Sequence, residues 1–246
     1  YAPFDQALAL IAEMFMSQVS ASRLMEIYDA KTAEGADRFD PDGHDIVFEN
    51  VRFAYDHEQV LRGVSFIAKE GEVTALVGPS GEGKTTLLRL ILGLVEADSG
   101  ELVIETKDGN KIPVSDCTRR FCSYVPQGNA IFSGTVADNL RVVKPEATDE
   151  EIIEALKTAD AWSFINELPL GINTEISEKG VNFSEGQVQR MSIARAILRD
   201  APIIVMDEAT SALDSATEAT VLANIMKSYP NRTCVITTHR PSMLQY

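Results

Sequence analysis

The chain has 246 residues, of which 45% are hydrophobic, enough to bury the core of one large α/β domain or of two small ones. Its 22 basic and 37 acidic residues give a formal net charge of −15, which disfavours a nucleic-acid or anionic-membrane surface, so no nucleic-acid partner is expected. No run of apolar residues approaches the roughly 18 that a membrane-spanning helix needs. The three cysteines lack metal-binding spacing and are predicted to be reduced, buried thiols.

The chain is predicted to open with a helix and a linker. Apolar residues recur at helical spacing between about Phe4 and Ala30, in a stripe of Leu8, Ile11, Phe15 and Val19. Because this helix lacks a good starting cap, we expect it to be the end of a longer helix. Glycine and proline among charged residues predict a linker that ends at residue 45, so the main domain is expected at 46–246.

A β-rich region is predicted next. Large apolar side chains lie at every second position, first at Ile46 and Phe48 and then, on the opposite parity, at Val51, Phe53 and Tyr55. This change of parity indicates a bulge at residues 49–50. Three further features are predicted here: strands at Val64–Ala68 and Val73–Val77, and a hairpin turn at Asp108-Gly109-Asn110.

Helical signals dominate from Thr148 to about Arg199. Thr148 and Glu151 have the spacing of a capping box, with apolar residues behind them. Ile203–Met206 is then a short continuous apolar run, typical of a parallel strand that is buried on both faces.

A phosphate-binding loop is predicted between the strand at Val73–Val77 and a following helix. Its glycines allow backbone amides to converge on phosphate oxygens, and the helix N-terminus adds a favourable partial charge. In this pattern Lys84 reaches the β- and γ-phosphates and the Thr85 hydroxyl binds Mg²⁺. The residues predicted to contact nucleotide here are Gly78, Pro79, Ser80, Gly81, Glu82, Gly83, Lys84, Thr85 and Thr86.

Two carboxylates follow the apolar run at Ile203–Met206. The carboxyl end of a buried parallel strand is where ligands bind in open α/β sheets. We therefore predict that Asp207 holds Mg²⁺ and that Glu208 polarises the attacking water.

The segment from Asn182 to Ala196, which contains Ser184-Glu185-Gly186-Gln187, resembles the signature segment of ABC ATPases. Several other positions then match motifs of that family in the family's order. Gln127 resembles the Q-loop glutamine, Ser211–Asp214 the D-loop, His239 the switch histidine, and Tyr55 the aromatic residue that stacks on adenine.

The resemblance implies an α/β fold: a P-loop NTPase core with a RecA-like parallel sheet, an N-terminal antiparallel β-subdomain, and an inserted helical signature subdomain at about residues 135–200. It implies ATP as substrate, Mg²⁺ held by Thr85, Gln127 and Asp207, and catalysis by Lys84, Gln127, Glu208 and His239. Two cassettes would associate head to tail, so that Ser184, Gly186, Gln187 and Asp214 act in trans on the partner's ATP. Glu185 replaces the first glycine of the usual signature pair, and we expect its side chain to turn into solvent.

An exporter is favoured over other ABC proteins. Residues 174–180 resemble the exporter segment that touches the membrane domain, and the opening helix resembles the end of the last membrane-spanning helix. The resemblance therefore implies a membrane domain and a second cassette as partners, at the cytoplasmic face of the cell membrane, and a domain that is cut short after His239. The alternative is a soluble ABC ATPase of DNA repair, chromosome structure or translation. A GTPase is disfavoured because the Asn-Lys-x-Asp guanine motif is absent.

Overall fold

The structure is a computed structural model that describes residues 43–128, 131–176 and 183–240. The predicted opening helix, nearly all of the predicted linker, the end of the chain and residues 177–180 of the exporter-type segment lie outside this part. Within it, no helix is both long and apolar enough to cross a membrane.

An antiparallel sheet forms the first layer. Its strands, in spatial order, are β2 (Glu58–Ala68), β1 (Asp45–Tyr55), β4 (Ser99–Glu105) and β5 (Lys111–Pro113). The predicted bulge is confirmed, because the register of β1 against both neighbours shifts beside Asn50, whose φ is 51°. The predicted hairpin turn joins β4 to β5, and Gly109 there has a φ of 79°. β2 starts at Glu58 rather than at the predicted Val64, since residues 58–62 pair with the end of β1.

A parallel sheet forms the centre of the domain. Its strands, in spatial order, are β3 (Val73–Val77), β10 (Thr233–Thr238), β9 (Ile203–Asp207) and β6 (Cys122–Val125). Every residue of β9 and β10 is buried, which confirms the buried strand predicted at Ile203–Met206. Ile204 and Met206 pack into one core, while Ile203 and Val205 pack into the other. Burial of each such side chain contributes about 1.5 to 3 kcal/mol to the free energy of folding relative to an exposed one. This sheet therefore stabilises both hydrophobic cores.

Helices follow or connect the strands in the described part of the chain. They are α1 (Lys84–Ile91), α2 (Val136–Arg141), α3 (Asp149–Thr158), α4 (Trp162–Asn166), α5 (Glu185–Leu198) and α6 (Ser215–Ser228), with 3₁₀ turns at Asp116–Phe121 and Gly171–Asn173. The capping box predicted at Thr148 and Glu151 is confirmed at the start of α3. A second one, formed by Thr135 and Asp138, begins α2.

Helices α2 to α5 pack into the predicted helical subdomain. Its centre is apolar, with Leu140, Ile152, Leu156 and Ile193 each at most 1% exposed. It also contains a two-stranded ladder of β7 (Gly134–Thr135) and β8 (Glu175–Ile176), which was not predicted because two residues are too short to show alternation.

Two of the cysteines are buried as predicted. Burial raises the pKa of the Cys122 and Cys234 thiols to about 12, so both remain protonated at neutral pH. Cys117 is only half-buried, contrary to the prediction.

Candidate active site

The predicted phosphate loop joins β3 to α1 at the carboxyl end of the parallel sheet. Gly83 precedes α1 with a φ of 86°, and a Cβ at this position would lie 2.7 Å from Cγ1 of Val60, so only glycine fits. Lys84 is buried, and its Nζ donates to the carbonyl oxygens of Gly78 at 2.7 Å and Pro79 at 2.8 Å. The backbone of the loop therefore surrounds the ammonium group of Lys84. The loop ends at the N-terminus of α1, where the first backbone amides of a helix have no partner within it.

The loop borders a cleft of about 290 Å³ that gathers residues from distant parts of the chain. Its lining residues are Val60, Ser80, Gly81, Gly83, Lys84, Thr85, Thr86, Gln127 and Glu208. The structure thus brings Gln127 and Glu208 to the phosphate loop, as predicted. Val60 lies on β2 and was not predicted, because nothing in its local sequence signals a contact with Gly83.

Asp207 lies beneath the loop at the end of β9 and is 2% exposed. Its Oδ1 accepts hydrogen bonds from the hydroxyls of Thr237 at 2.7 Å and Thr85 at 3.3 Å. The Asp207 carboxylate and the Thr85 hydroxyl are therefore adjacent hard oxygen donors, a set that fits Mg²⁺, which binds one or two protein oxygens together with phosphate and water.

Glu208 follows Asp207 in a left-handed conformation, with a φ of 49°. Its backbone N–H donates to Oγ1 of Thr237 at 2.8 Å. The amide nitrogen Nε2 of Gln127 donates to Oε2 of Glu208 at 2.7 Å, and Nε2 of His239 lies 2.5 Å from Oε1. Both carboxylate oxygens are thus held, each by a residue that was predicted to be catalytic.

His239 connects this carboxylate to the phosphate loop. Its Nδ1 lies 2.9 Å from the carbonyl oxygen of Gly78, and its Nε2 also lies 3.5 Å from Oγ of Ser80. Nδ1–H can donate to this carbonyl oxygen, and Nε2 then faces the Glu208 carboxylate. His239 therefore links the Glu208 side chain to the phosphate loop.

Thr237 completes this group and was missed by sequence reasoning. It is 1% exposed and hydrogen bonds to both Asp207 and Glu208. Its only signal in the sequence was its place in a strand that ends at the predicted switch histidine.

Tyr55 lies at the end of β1 and is not among the described residues that line the cleft. Its hydroxyl accepts a hydrogen bond from Nη1 of Arg89 at 3.0 Å, and its ring is edge-on to Phe53 with centroids 4.7 Å apart. The side chain is 38% exposed, so its ring has a free surface, and adenine stacking stays a prediction.

The predicted signature residues surround the start of α5. The Oγ of Ser184 accepts from the backbone N–H of Gln187 at 3.3 Å, and Oε1 of Gln187 accepts from the backbone N–H of Ser184 at 2.8 Å. This capping box gives Gln187 a structural role within its own chain. Glu185 is exposed in this chain, and its orientation toward a partner's ATP stays a prediction.

Asp214 is the N-cap residue of α6. Its carboxylate accepts from the backbone N–H groups of Ala216 and Thr217, and the bonds from Thr217 hold the pKa of Asp214 below its ordinary value. Among the described residues that line the cleft, none comes from the signature segment or is Asp214. Their action in trans stays a prediction.

Known proteins resemble this chain over most of its length. The family model for ABC transporters matches residues 61–211. A mycobactin import ATP-binding/permease protein of Mycolicibacterium thermoresistibile is 38% identical over 99% of this chain and 42% of its own length. An ATP-dependent lipid A-core flippase of Methylobacillus flagellatus is also 38% identical, over the same shares.

A solved structure has the same fold. A bacterial Atm1-family ABC exporter with ATP bound is 33% identical and has a TM-score of 0.78, over 93% of this chain and 41% of that one. The chain thus spans less than half the length of these relatives. The matched family model and the phosphate loop, paired carboxylates and signature helix agree, and the chain belongs to the ABC transporter family as an ATPase domain.

Proposed function

We propose that this domain binds MgATP in the cleft beside the phosphate loop and hydrolyses it to drive transport across a membrane. The observation that carries the proposal is that one cleft contains the buried Lys84 ammonium and a Glu208 carboxylate held at both oxygens. A cation for the phosphates and a base for water are the two groups that hydrolysis of a phosphoanhydride requires.

Each side chain then has a defined task. Lys84 binds the β- and γ-phosphates. Glu208 accepts a proton from the attacking water, and Gln127 and His239 orient the Glu208 carboxylate. Thr85 and Asp207 would hold Mg²⁺, with Gln127 nearby, and the ion when bound neutralises charge on the phosphate oxygens. The 3.3 Å bond between Thr85 and Asp207 supports this assignment.

We further propose that two such cassettes close head to tail around ATP. Ser184 and Gly186 lie at the N-terminus of a long helix, α5, whose partial positive charge favours a phosphate. The cleft of the same chain does not use these residues, so a second cassette is the partner that they fit. Gln187 supports the position of Ser184, and Asp214 lies on the adjacent D-loop.

A membrane domain is the other proposed partner. Relatives named as ATP-binding/permease proteins contain more than twice the length of this chain. A groove of about 250 Å³ between α1, β6 and α5 offers a docking surface, with Leu94 52% exposed, Tyr124 39% exposed and Arg119 beside them. With a membrane domain as partner, the cassette would lie at the cytoplasmic face of the cell membrane. Export is the direction we propose, because residues 174–180 resemble the exporter segment in sequence. The flippase and the exporter named above share this domain, and so does the protein named for mycobactin import.

The proposal is tested by titrating MgATP into the full-length protein that contains this chain. Lys84→Ala should remove most of the binding, because it deletes the cation at the phosphates. Lys69→Ala is the matched control, since Lys69 is exposed and precedes β3 at the opposite end from the loop. An affinity for MgATP that is unchanged within about twofold in Lys84→Ala would refute the assignment of the loop.

A further inference from the structure

The D-loop segment, residues 211–214, is tied by side chains to two elements that serve different tasks in the proposed function. On one side is α5, whose start is offered to a partner cassette. On the other side is the end of β10, which carries His239 toward this chain's own ATP. The segment has no regular secondary structure, so these bonds define its position.

The bonds from α5 come from Gln189, which is 3% exposed. Its Nε2 donates to Oγ of Ser211 at 3.1 Å, and its Oε1 accepts from the backbone N–H of Ala212 at 3.0 Å. Almost one turn earlier, a Cβ on Gly186 would lie 3.0 Å from the carbonyl oxygen of Ala212. The backbone of α5 at Gly186 therefore approaches the D-loop segment so closely that a side chain would not fit. The side-chain amide of Gln189 uses both its nitrogen and its oxygen to hold the segment in this position.

The bonds from the β10 side come from Arg240, the residue after His239. Its Nη1 donates to the carbonyl oxygen of Leu213 at 2.6 Å, and its Nη2 donates to that of Ser211 at 2.9 Å. Nη1 also lies 3.3 Å from Glu218, a carboxylate that is 1% exposed and is hydrogen bonded to the hydroxyl of Thr210. A planar guanidinium can span two carbonyls in this way, and an ammonium group cannot.

The segment is also bonded to the strand end that carries the proposed base, because the backbone N–H of Ser211 donates to the carbonyl oxygen of Glu208 at 3.1 Å. A continuous set of bonds thus runs from Glu208 and His239 through the D-loop segment to Gln189 on α5, almost one turn after Gly186. We propose that Gln189 and Arg240 are positioning residues that make the signature helix and this chain's own catalytic edge move as one unit. The proposal rests on the proposed function, since it requires closure of two cassettes on ATP.

A purely structural role of Gln189 and Arg240 would change different measured quantities. Satisfying buried polar groups stabilises the domain as a whole, so its loss would lower thermal stability and every nucleotide affinity together. Positioning of the signature helix matters only when a γ-phosphate recruits the partner cassette. MgADP binds the phosphate loop without a γ-phosphate, so its affinity separates the two roles.

The test uses the full-length protein with one label on each cassette, and the distance between labels is followed as MgATP is added. Gln189→Met and Arg240→Lys should each raise the MgATP concentration for half-closure about tenfold, as expected for losing a buried hydrogen-bonded contact. MgADP affinity should stay within about twofold. The double variant should be little worse than either single one, because both act on the same segment.

The matched control is Arg190→Lys, which makes the same substitution as Arg240→Lys at the residue that follows Gln189 on α5. Nη1 of Arg190 donates to the carbonyl oxygen of Asp160 at 2.7 Å, within the helical subdomain, so closure should be unchanged. Unaltered closure in Gln189→Met and Arg240→Lys would overturn the inference, and so would a parallel fall in MgADP affinity and melting temperature. Absence of ATP-driven closure in the unmodified protein would refute the proposed function itself.

Discussion

Thr237 provides a sharp test of how the catalytic edge is held. Thr237→Val keeps the shape of a fully buried side chain and removes two hydrogen bonds, one to Oδ1 of Asp207 at 2.7 Å and one from the backbone N–H of Glu208 at 2.8 Å. A buried donor that loses its partner costs about 1 to 3 kcal/mol. Glu208 has a left-handed conformation, and the bond from its backbone N–H to Thr237 helps to hold it there.

We expect about 2 kcal/mol of this cost to raise the activation free energy of hydrolysis, because Asp207 and Glu208 are then held less well in the transition state. ATP hydrolysis should therefore slow about 30-fold. The assay is steady-state phosphate release by the full-length protein at saturating MgATP. Thr233→Val is the matched control, because Thr233 lies on the same strand, is 0% exposed and donates its hydroxyl to the carbonyl oxygen of His44, away from the cleft. Both variants should lose some stability. Equal rates of hydrolysis in the two variants would refute the role of Thr237.

Two further predictions concern contacts with nucleotide. Tyr55→Ala should weaken MgATP binding about tenfold, because a stacked base contributes about 1 kcal/mol or somewhat more, while Tyr55→Trp should retain it; equal affinity in both variants and the parent protein would leave Tyr55 as a surface aromatic residue. Glu185→Gly should change ATP-driven closure little, because we expect the Glu185 side chain to turn into solvent in the closed dimer; a large gain in closure would show that its carboxylate faces the partner's phosphates.

Local patterns in the sequence predicted much of this fold. The strand, loop and helix around residues 78–83, the capping box at Thr148 and the buried strand at Ile203–Met206 each depend on a few adjacent residues, and all three are confirmed as structures. The bulge in β1 was likewise visible as a change of parity beside Asn50.

The parts of the site that escaped prediction depend on contacts between distant residues. Thr237 meets Asp207 only because β10 pairs with β9 in a register that puts these two residues side by side. Gln189 and Arg240 meet over the D-loop segment although 51 positions separate them in the sequence numbering. No local pattern of Gln or Arg distinguishes such a residue from one on a solvated helix face. Only the packing of α5 against that segment reveals it.

The central claim is that Glu208 is the general base of ATP hydrolysis, and Glu208→Gln in the full-length protein tests it most directly. Glutamine keeps the size and the hydrogen-bonding reach of the side chain but cannot accept the proton. The measurement is the rate of phosphate release at saturating MgATP, with MgATP affinity measured on the same sample. We predict unchanged binding and a fall in rate on the order of 10² to 10⁴, the usual effect of removing a positioned base. A Glu208→Gln protein that hydrolyses ATP at nearly the parental rate would contradict the account.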